Sequence, residues 1–229
     1  MIASRCEPVC AYMCCQCFKA TPRLGQKGDD QPKPLLFPLR DGTLVLLRPI
    51  VPDDRLRIQN GMAALSSKSR YFRFFTLTAQ LSDQSLRHFT RVDQQNHVAW
   101  IALDASDPRH PGLGVARFIR ISNAPTVAEM AIAVIDTYQH RGLGTVLLAV
   151  LYLMAEVRGT QVLRAIVLPE NTTVYNWLRA LGAVESYEGG EYQLDLTVHR
   201  NPARLPKTPS GENFKGVIDK LKTGLRCGS

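Results

Sequence analysis

The chain has 229 residues, 45% of them hydrophobic, and its 28 Lys and Arg against 20 Asp and Glu give a formal net charge of +8 at pH 7. The length predicts one domain with extensions, and the ordinary apolar content excludes a chain dominated by low-complexity sequence. The positive charge suits an anionic ligand, but it does not indicate nucleic-acid binding, because no basic motif interleaved with aromatic residues accompanies it.

Residues 1–30 are interpreted as a separate, disordered extension, because no periodic apolar pattern runs through them. Their cysteines have the spacing C-x3-C-x3-C-C-x-C, which matches no zinc motif, although a metal clip, a lipidation cluster and a redox patch stay open. The apolar runs are too interrupted for a secretory signal, so we expect a reducing, cytoplasmic location. Residues 31–38 add a proline-punctuated linker, which completes the predicted segment 1–38. The cysteines are Cys6, Cys10, Cys14, Cys15 and Cys17.

Regular patterns begin after the linker. A turn at 39–43 leads into a predicted strand over 44–48, and Asp53 and Asp54 are typical caps for a helix that runs to about residue 65. Two further short helices are predicted to begin at 66–69 and at 82–83. Strands at 97–103, 113–121 and 126–135, joined by turns, predict an antiparallel meander.

The stretch 128–155 carries the strongest functional signal. An apolar strand leads into Gln139-His140-Arg141-Gly142-Leu143-Gly144, and an apolar helix over 145–155 follows at once. The first N–H groups of a helix have no intrahelical partner and carry partial positive charge, so this order predicts an anion site. The third glycine of the dinucleotide fingerprint and the Gly-Lys-Ser/Thr of a P-loop are both missing. A strand at 162–167, a helix at 171–181 and a strand at 192–198 complete the pattern.

The motif Gln139-x-x-Gly142-x-Gly144 at a strand-to-helix junction resembles the pyrophosphate-binding motif of the GNAT N-acetyltransferases. The phrases LRDGTLVLLRPIVPDD and LSSKSRYFRFF resemble, more narrowly, the GNAT domain of bacterial protein-lysine acetyltransferases. The resemblance covers about residues 39–199, where the order β-α-α-β-β-β-α-β-α-β is that of the family. It implies an α/β (α+β) GNAT fold over residues 39–200, with a mixed central sheet of six to seven strands and flanking helices, followed by a basic C-terminal tail, 201–229.

This resemblance also implies an activity: transfer of the acetyl group of acetyl-CoA, as co-substrate, to a primary amine, with a protein lysine as the leading acceptor. Glu129, in the phrase Ala-Glu-Met-Ala, takes the place of the family's general base, and backbone N–H near Val134 would stabilise the oxyanion. Asn171 stands where the family's asparagine contacts the pantetheine arm, and it can equally cap the helix. No metal is implied, and the five histidines have no ligand spacing. The other implied cofactor-binding residues are Ile132, Gln139, His140, Arg141, Gly142, Leu143, Gly144 and Thr145.

Several alternatives stay open from the sequence. Glu129 could instead be a strand-edge carboxylate paired with Arg117 or Arg120. Leu178 stands where many relatives have a tyrosine acid, so the acid for the leaving thiolate is unassigned, with Tyr175 one turn earlier. The acceptor could be a polyamine, an amino acid or an antibiotic, or the chain could be a non-catalytic acyl-CoA sensor. We expect a monomer or a homodimer without a membrane span, since the apolar runs are too short for one.

Overall fold

The structure is a computed structural model, and it describes residues 33–74 and 77–227. The five N-terminal cysteines therefore lie outside the described residues. Within the described part, one mixed sheet forms the centre of the molecule, in the order β1-β2-β3-β4-β5-β6-β8-β7. Its strands are β1 (Leu35–Pro38), β2 (Leu44–Pro49), β3 (His97–Asp104), β4 (Gly112–Ile121), β5 (Ala124–Val134), β6 (Val162–Val167), β7 (Val184–Glu188) and β8 (Glu191–Thr197).

Six α-helices within the described residues flank the sheet. They are α1 (Arg55–Ala64), α2 (Ser67–Phe74), α3 (Asp83–Thr90), α4 (Leu143–Arg158), α5 (Thr172–Ala180) and α6 (Pro209–Cys227). The starts of α3 and α5 follow from local chemistry, since the Ser82 hydroxyl accepts from the Ser85 N–H and the side-chain Oδ1 of Asn171 accepts from the Val174 N–H.

The pairing of β5 with β6 is the only parallel one among the described strands, and α4 makes the crossover between them. The hydrogen-bonded register begins at Val127 opposite Val162 and stops at Glu129 opposite Arg164. Beyond that point β5 remains paired with β4, whereas β6 remains paired with β8. The sheet therefore splits into two halves at this position, and a cleft opens between them.

Hydrophobic residues fill both faces of the sheet. Successive side chains of a strand point to opposite faces, so Trp100 packs in the core beneath α4 and α6, while Ile101 packs beneath α1 and α3. The larger core includes nearly all of α4, whose residues from Val146 to Ala155 are buried. This burial on all sides fixes the helix whose first turn faces the cleft.

The observed sheet corrects the predicted count of six to seven strands, because eight are present. The first additional strand, β1, lies inside the predicted linker 31–38; Phe37 is 5% exposed and Pro38 stands at the strand end, which an edge strand tolerates. The second, β7, escaped prediction because every residue in it is exposed, so no apolar alternation marks it.

The predicted boundary at residue 200 also differs from the described structure. Residues 209–227 of the predicted basic tail form α6, and Phe214, Ile218 and Leu221 on that helix are fully buried in the main core. The three residues are spaced i, i+4 and i+7, which places them on one face of a helix. The packed unit therefore extends past the predicted end of the domain.

Candidate active site

The glycine turn lies directly at the start of α4. Gly142 has φ of 93°, in the left-handed region, and acts as the residue before the helix. A Cβ built on Gly144 would meet no atom within 4 Å, so the space above this first helical turn is open. A helix start with free backbone donors, a glycine and open space is suited to an anionic group such as a phosphate.

A network of side chains holds this turn against α2. Asp136, in the short 3-10 turn after β5, accepts hydrogen bonds from the backbone and hydroxyl of Ser66, both at 2.8 Å, and from the hydroxyl of Ser69 at 2.9 Å. The Gln139 amide donates to the Ser69 hydroxyl at 3.2 Å and to the Val134 carbonyl at 3.0 Å. Gln139 therefore fixes the shape of the turn, and both of its amide protons have protein acceptors.

The cleft between the halves of the sheet continues from this turn. It has a volume of about 700 Å³, within the range of pockets that hold small molecules. One wall is β5 from Glu129 to Val134, and the opposite wall is the end of β6 with the start of α5. Residues of α2 cover one side, and the glycine turn closes one end. An elongated ligand could thus contact the turn and the exposed edge of β5 at the same time.

The N–H and C=O groups of every second residue of β5 point toward this cleft. The Ile135 N–H donates to the Leu113 carbonyl at 3.0 Å, which directs the backbone groups of Ile135 toward β4. Because neighbouring residues of a strand direct their N–H and C=O groups to opposite edges, those of Val134 and Ile132 point to the cleft. The bond from Gln139 to the Val134 carbonyl agrees with this direction. Two N–H groups are therefore available as donors along the cleft wall.

Glu129 stands where β5 and β6 part, and its side chain is half-buried in the cleft wall. Burial raises the pKa of Glu129, while the charges of Arg73 and Arg164 partly offset that rise. No ion pair of Glu129 within 4 Å is found among the described residues. Arg117 instead contacts His97 and the Phe89 carbonyl, and Arg120 donates to the Arg158 carbonyl at 2.7 Å. The pairing with Arg117 or Arg120 that the sequence left open is therefore wrong.

The structure brings most of the residues predicted from the sequence to this cleft but not all of them. Two side chains lie elsewhere: Arg141 pairs with Asp41 and stacks 4.5 Å over the Tyr138 ring, and Leu143 is fully buried in the core. Neither side chain lines the cleft. The predicted residues that line the cleft are Glu129, Ile132, Val134, Gln139, His140, Gly142, Gly144, Thr145 and Asn171.

Three basic residues of the cleft, Arg40, Lys68 and Arg73, were not predicted from the sequence. Arg40 lies against Gly142, where a Cβ on the glycine would come within 3.4 Å of it, and Lys68 of α2 lines the cleft nearby. Both add positive charge beside the open start of α4. The phrase LRDGT predicted a turn near residue 40, but the sequence could not show that this turn lies next to the glycine turn at residue 142. Only the fold brings the two turns together.

Tyr175 does not lie in the cleft. Its hydroxyl donates to Glu185, and its ring packs 4.6 Å from that of Tyr192. It is therefore a packing residue, and no described tyrosine lines the cleft as a candidate acid for a leaving thiolate.

Residues 33–74 and 77–227 contain no group of three or more His, Cys, Asp and Glu side chains arranged to hold a metal ion. The same residues contain no helix that is both long enough and apolar enough to cross a membrane.

Comparison with known proteins places the chain among acetyltransferases. A family model described as "Acetyltransferase (GNAT) domain" matches residues 45–184. Acetyltransferase Pat of Mycolicibacterium smegmatis is 33% identical over 193 residues, which are 84% of this chain and 55% of the relative. An acetyltransferase of Pseudomonas aeruginosa is 30% identical over 146 residues, 64% of this chain and 78% of the relative.

Solved structures agree with the sequence matches. The crystal structure of the GNAT domain of S. lividans PAT aligns with a TM-score of 0.66 and 28% identity, covering 72% of this chain and 96% of that one. The chain spans only about half the length of the Mycolicibacterium relative, at 55%. The shared part is the domain that contains the glycine turn and the cleft.

Proposed function

The chain belongs to the GNAT acetyltransferase family, and from this premise we propose that it transfers the acetyl group of acetyl-CoA to the side-chain amine of a protein lysine. One observation carries the proposal: a half-buried carboxylate, Glu129, and the open glycine turn at Gly144 line the same cleft. The turn suits the anionic end of the donor, and the carboxylate suits the amine. The separation of these two features along β5 fits a long donor molecule.

The residues at the turn fit the pyrophosphate of acetyl-CoA. The first N–H groups of α4, the open space over Gly144 and the charges of Arg40 and Lys68 all favour negative charge at this end. The backbone N–H groups of Ile132 and Val134 would donate to the pantetheine arm and to the thioester carbonyl. When bound, acetyl-CoA supplies the activated acetyl group; the protein supplies position, donors and a proton acceptor.

The attacking amine must first lose a proton. A lysine amine has a pKa near 10.4, so only about 1 in 2,500 molecules is neutral at pH 7. Glu129 would take this proton, and burial favours that role because it raises the pKa of the carboxyl group toward the working range of a general base. Its position on β5, three residues before Ile132 and five before Val134, places the proton acceptor on the same strand as the donors for the carbonyl.

A protein lysine is the proposed acceptor because the relatives point that way. Acetyltransferase Pat and the GNAT domain of S. lividans PAT are among the proteins to which this chain is similar, and the sequence phrases noted above resemble those of protein-lysine acetyltransferases.

The decisive experiment replaces Glu129 with glutamine and measures acetyl transfer over a range of pH. We expect turnover at pH 7 to fall by roughly 10²–10⁴-fold, the usual contribution of a positioned base. The loss should shrink as the pH approaches the pKa of the amine. Because the pKa of Glu129 is raised, the wild-type rate should decline on acidification at a higher pH than an exposed glutamate with a pKa near 4.3 would cause, and the variant should lack this decline.

Glu188→Gln is the matched control, since Glu188 is an exposed carboxylate on β7 that does not line the cleft. Acetyl-CoA carrying a labelled acetyl group, incubated with a cell extract, identifies the acceptor by mass spectrometry. Label on lysine Nε of proteins supports the proposal. Label on small amines alone would overturn the assignment of the acceptor, and a pH-independent defect of Glu129→Gln would overturn the assignment of the base.

A further inference from the structure

Two arginines, one buried and one half-buried, lie on the face of the sheet covered by α1 to α3, beside the cleft. Arg117 of β4 is 3% exposed; its guanidinium makes long contacts to His97 Nε2 at 3.3 Å and to the Phe89 carbonyl at 3.4 Å. Arg73 of α2 stacks over Phe74, and its buried Nε has no hydrogen-bond acceptor. Neither arginine forms an ion pair within the described part of the chain.

The local charge balance is positive. Burial lowers the pKa of Arg73 to about 10, and burial together with the nearby charge of Arg73 lowers the pKa of Arg117 to about 9. Both arginines therefore stay protonated at neutral pH. Burial also lowers the pKa of His97 to about 2 and lowers that of His88, so both rings are neutral. The charge of Glu129 stabilises Arg73. Glu129 thus offsets the charge of Arg73, whereas no described carboxylate offsets the charge of Arg117.

An apolar cavity lies between these arginines. It has a volume of about 50 Å³, enough for several heavy atoms, since about 10–15 Å³ on this measure holds one water. Arg73 and Arg117 form part of its wall, and Ala133 and Ile135 of β5 form its floor. Leu65, Arg73, Phe74 and Ala133 also line the main cleft, so the cavity adjoins it. A short chain bound at Val134 could thus extend from the cleft into the cavity.

We propose that this cavity binds the terminal carboxylate of a short dicarboxylic acyl group, such as succinyl, carried on the coenzyme A thioester. The methylene groups would contact the apolar wall, and the carboxylate would neutralise the surplus charge of Arg73 and Arg117. A buried cation without a counter-charge is costly, and an anion supplied by the ligand removes that cost. This inference rests on the proposed function and specifies its donor.

The position of the cavity indicates that the carboxylate bound there belongs to the acyl donor and not to the acceptor amine. Its floor residues alternate along β5 with Ile132 and Val134, whose N–H groups face the thioester position. A lysine acceptor ends in its amine and has no anionic group beyond it. In the transfer step the ammonium first passes one proton to Glu129, and the neutral amine nitrogen then forms a bond to the acyl carbon. The carbon–sulfur bond breaks with its electron pair leaving on sulfur, and the second nitrogen proton passes to the departing thiolate, which gives the amide and free CoA.

The test compares succinyl-CoA with butyryl-CoA, which has the same number of acyl carbons but ends in a methyl group. Calorimetric titration of the full chain with each thioester, and with free CoA, measures the three affinities. We expect wild type to bind succinyl-CoA at least ~10-fold more tightly than butyryl-CoA, as a charge-assisted pair in a buried site would give. In Arg117→Met, which keeps side-chain length and removes the charge, this ratio should fall to about 1, as removal of the cation predicts.

Arg120→Met is the matched control, because Arg120 lies on the same strand but bonds to the Arg158 carbonyl and lines neither cavity. It should keep the wild-type ratio. Binding of free CoA shows that each variant is folded, and Arg73→Met provides a second test of the cavity.

Equal affinities of wild type for the two thioesters, or a ratio that Arg117→Met leaves unchanged, would overturn the inference. So would a preference for 4-aminobutyrate over butylamine as acceptor that depends on Arg117, since the anion would then belong to the acceptor. If Glu129→Gln loses turnover but wild type binds the two thioesters equally, the proposed acetyltransferase function is supported and the dicarboxylic donor is ruled out. Failure of wild type to bind free CoA would remove both proposals.

Discussion

Two glycines of the same turn lack a side chain for different reasons. Gly142 has φ of 93°, which only glycine adopts without strain, whereas a Cβ on Gly144 is sterically free of every described protein atom. The conformation thus accounts for the first glycine, and the proposed ligand accounts for the second.

Gly144→Asp therefore tests the phosphate end of the site directly. The new carboxylate would stand in the open space and repel an anionic group, so we expect CoA affinity to fall by at least ~10-fold, or about 1.4 kcal/mol. Calorimetric titration measures it, with Gly144→Ala as a control that adds bulk but no charge. Unchanged affinity in a folded Gly144→Asp protein would mean that phosphate does not bind at this turn.

Asp54 is the residue whose loss should cost most stability outside the core. It is fully buried, accepts from Arg48 at 2.7 and 2.6 Å and from the Val51 N–H at 3.0 Å, and lies 3.3 Å from Arg57. Burial alone would raise the pKa of Asp54, but the hydrogen bonds from Arg48 and Val51 and the charges of both arginines outweigh it, so the pKa is lowered.

We expect Asp54→Ala to lower the free energy of unfolding by about 2–3 kcal/mol at pH 7, because it leaves Arg48 without its carboxylate. A lowered pKa stabilises the fold above the unfolded-state value near 3.9, and the gain is lost as the pH falls through the folded-state value. Urea unfolding at pH 7 and pH 3 measures both effects. Asp83→Ala, which breaks the exposed pair with Arg55, should cost less than about 1 kcal/mol. Equal costs for the two variants would contradict this account.

At the scale of elements, α6 shows how a charged segment can still belong to the core. Counting its Lys and Arg residues suggested a tail, although Phe214, Ile218 and Leu221 form an apolar stripe that the sequence alone displays. Phe214 packs edge-to-face on Tyr152 of α4, with ring centroids 5.5 Å apart. The helix α6 therefore packs against α4 and stabilises the element whose first turn faces the cleft.

Phe214→Ala should remove this support. Truncating a fully buried phenylalanine costs about 3–5 kcal/mol, so we expect that decrease in the free energy of unfolding by urea titration. Lys220→Ala, on the exposed face of the same helix, should change it by no more than about 0.5 kcal/mol. A Phe214→Ala protein as stable as Lys220→Ala would show that α6 does not pack on α4 in solution.

At the scale of the whole molecule, the fold depends on both ends of the described chain. At the N-terminal end, β1 pairs with β2 along Leu35–Pro38, and at the C-terminal end, α6 packs on the main core. A fragment spanning residues 33–227 should therefore unfold cooperatively with a melting temperature close to that of the full chain. A fragment spanning 39–200, the predicted domain, should be markedly less stable because it exposes the core that α6 covers. Thermal unfolding of both fragments by circular dichroism compares them, and equal melting temperatures would contradict the role of α6.

The sequence by itself determined the family, the order of most elements and the position of the glycine turn. These features are local: a helix start, a β-branched run such as 162–167 and a glycine turn are each encoded within a few residues. The strand β6 and the caps Ser82 and Asn171 lie where the sequence predicted them, because capping depends only on residues within one turn.

The tertiary structure alone decided which side chains share the cleft. Arg40 and Gly142 are neighbours only because the sheet brings two distant turns together, and Arg141, adjacent in sequence, turns away to Asp41. The environment of Glu129 and the surplus charge at Arg73 and Arg117 likewise depend on burial between α2, β4 and β5, which no local pattern records. Electrostatic effects in an interior depend on distance and solvent access, and these are set by packing rather than by neighbours along the chain.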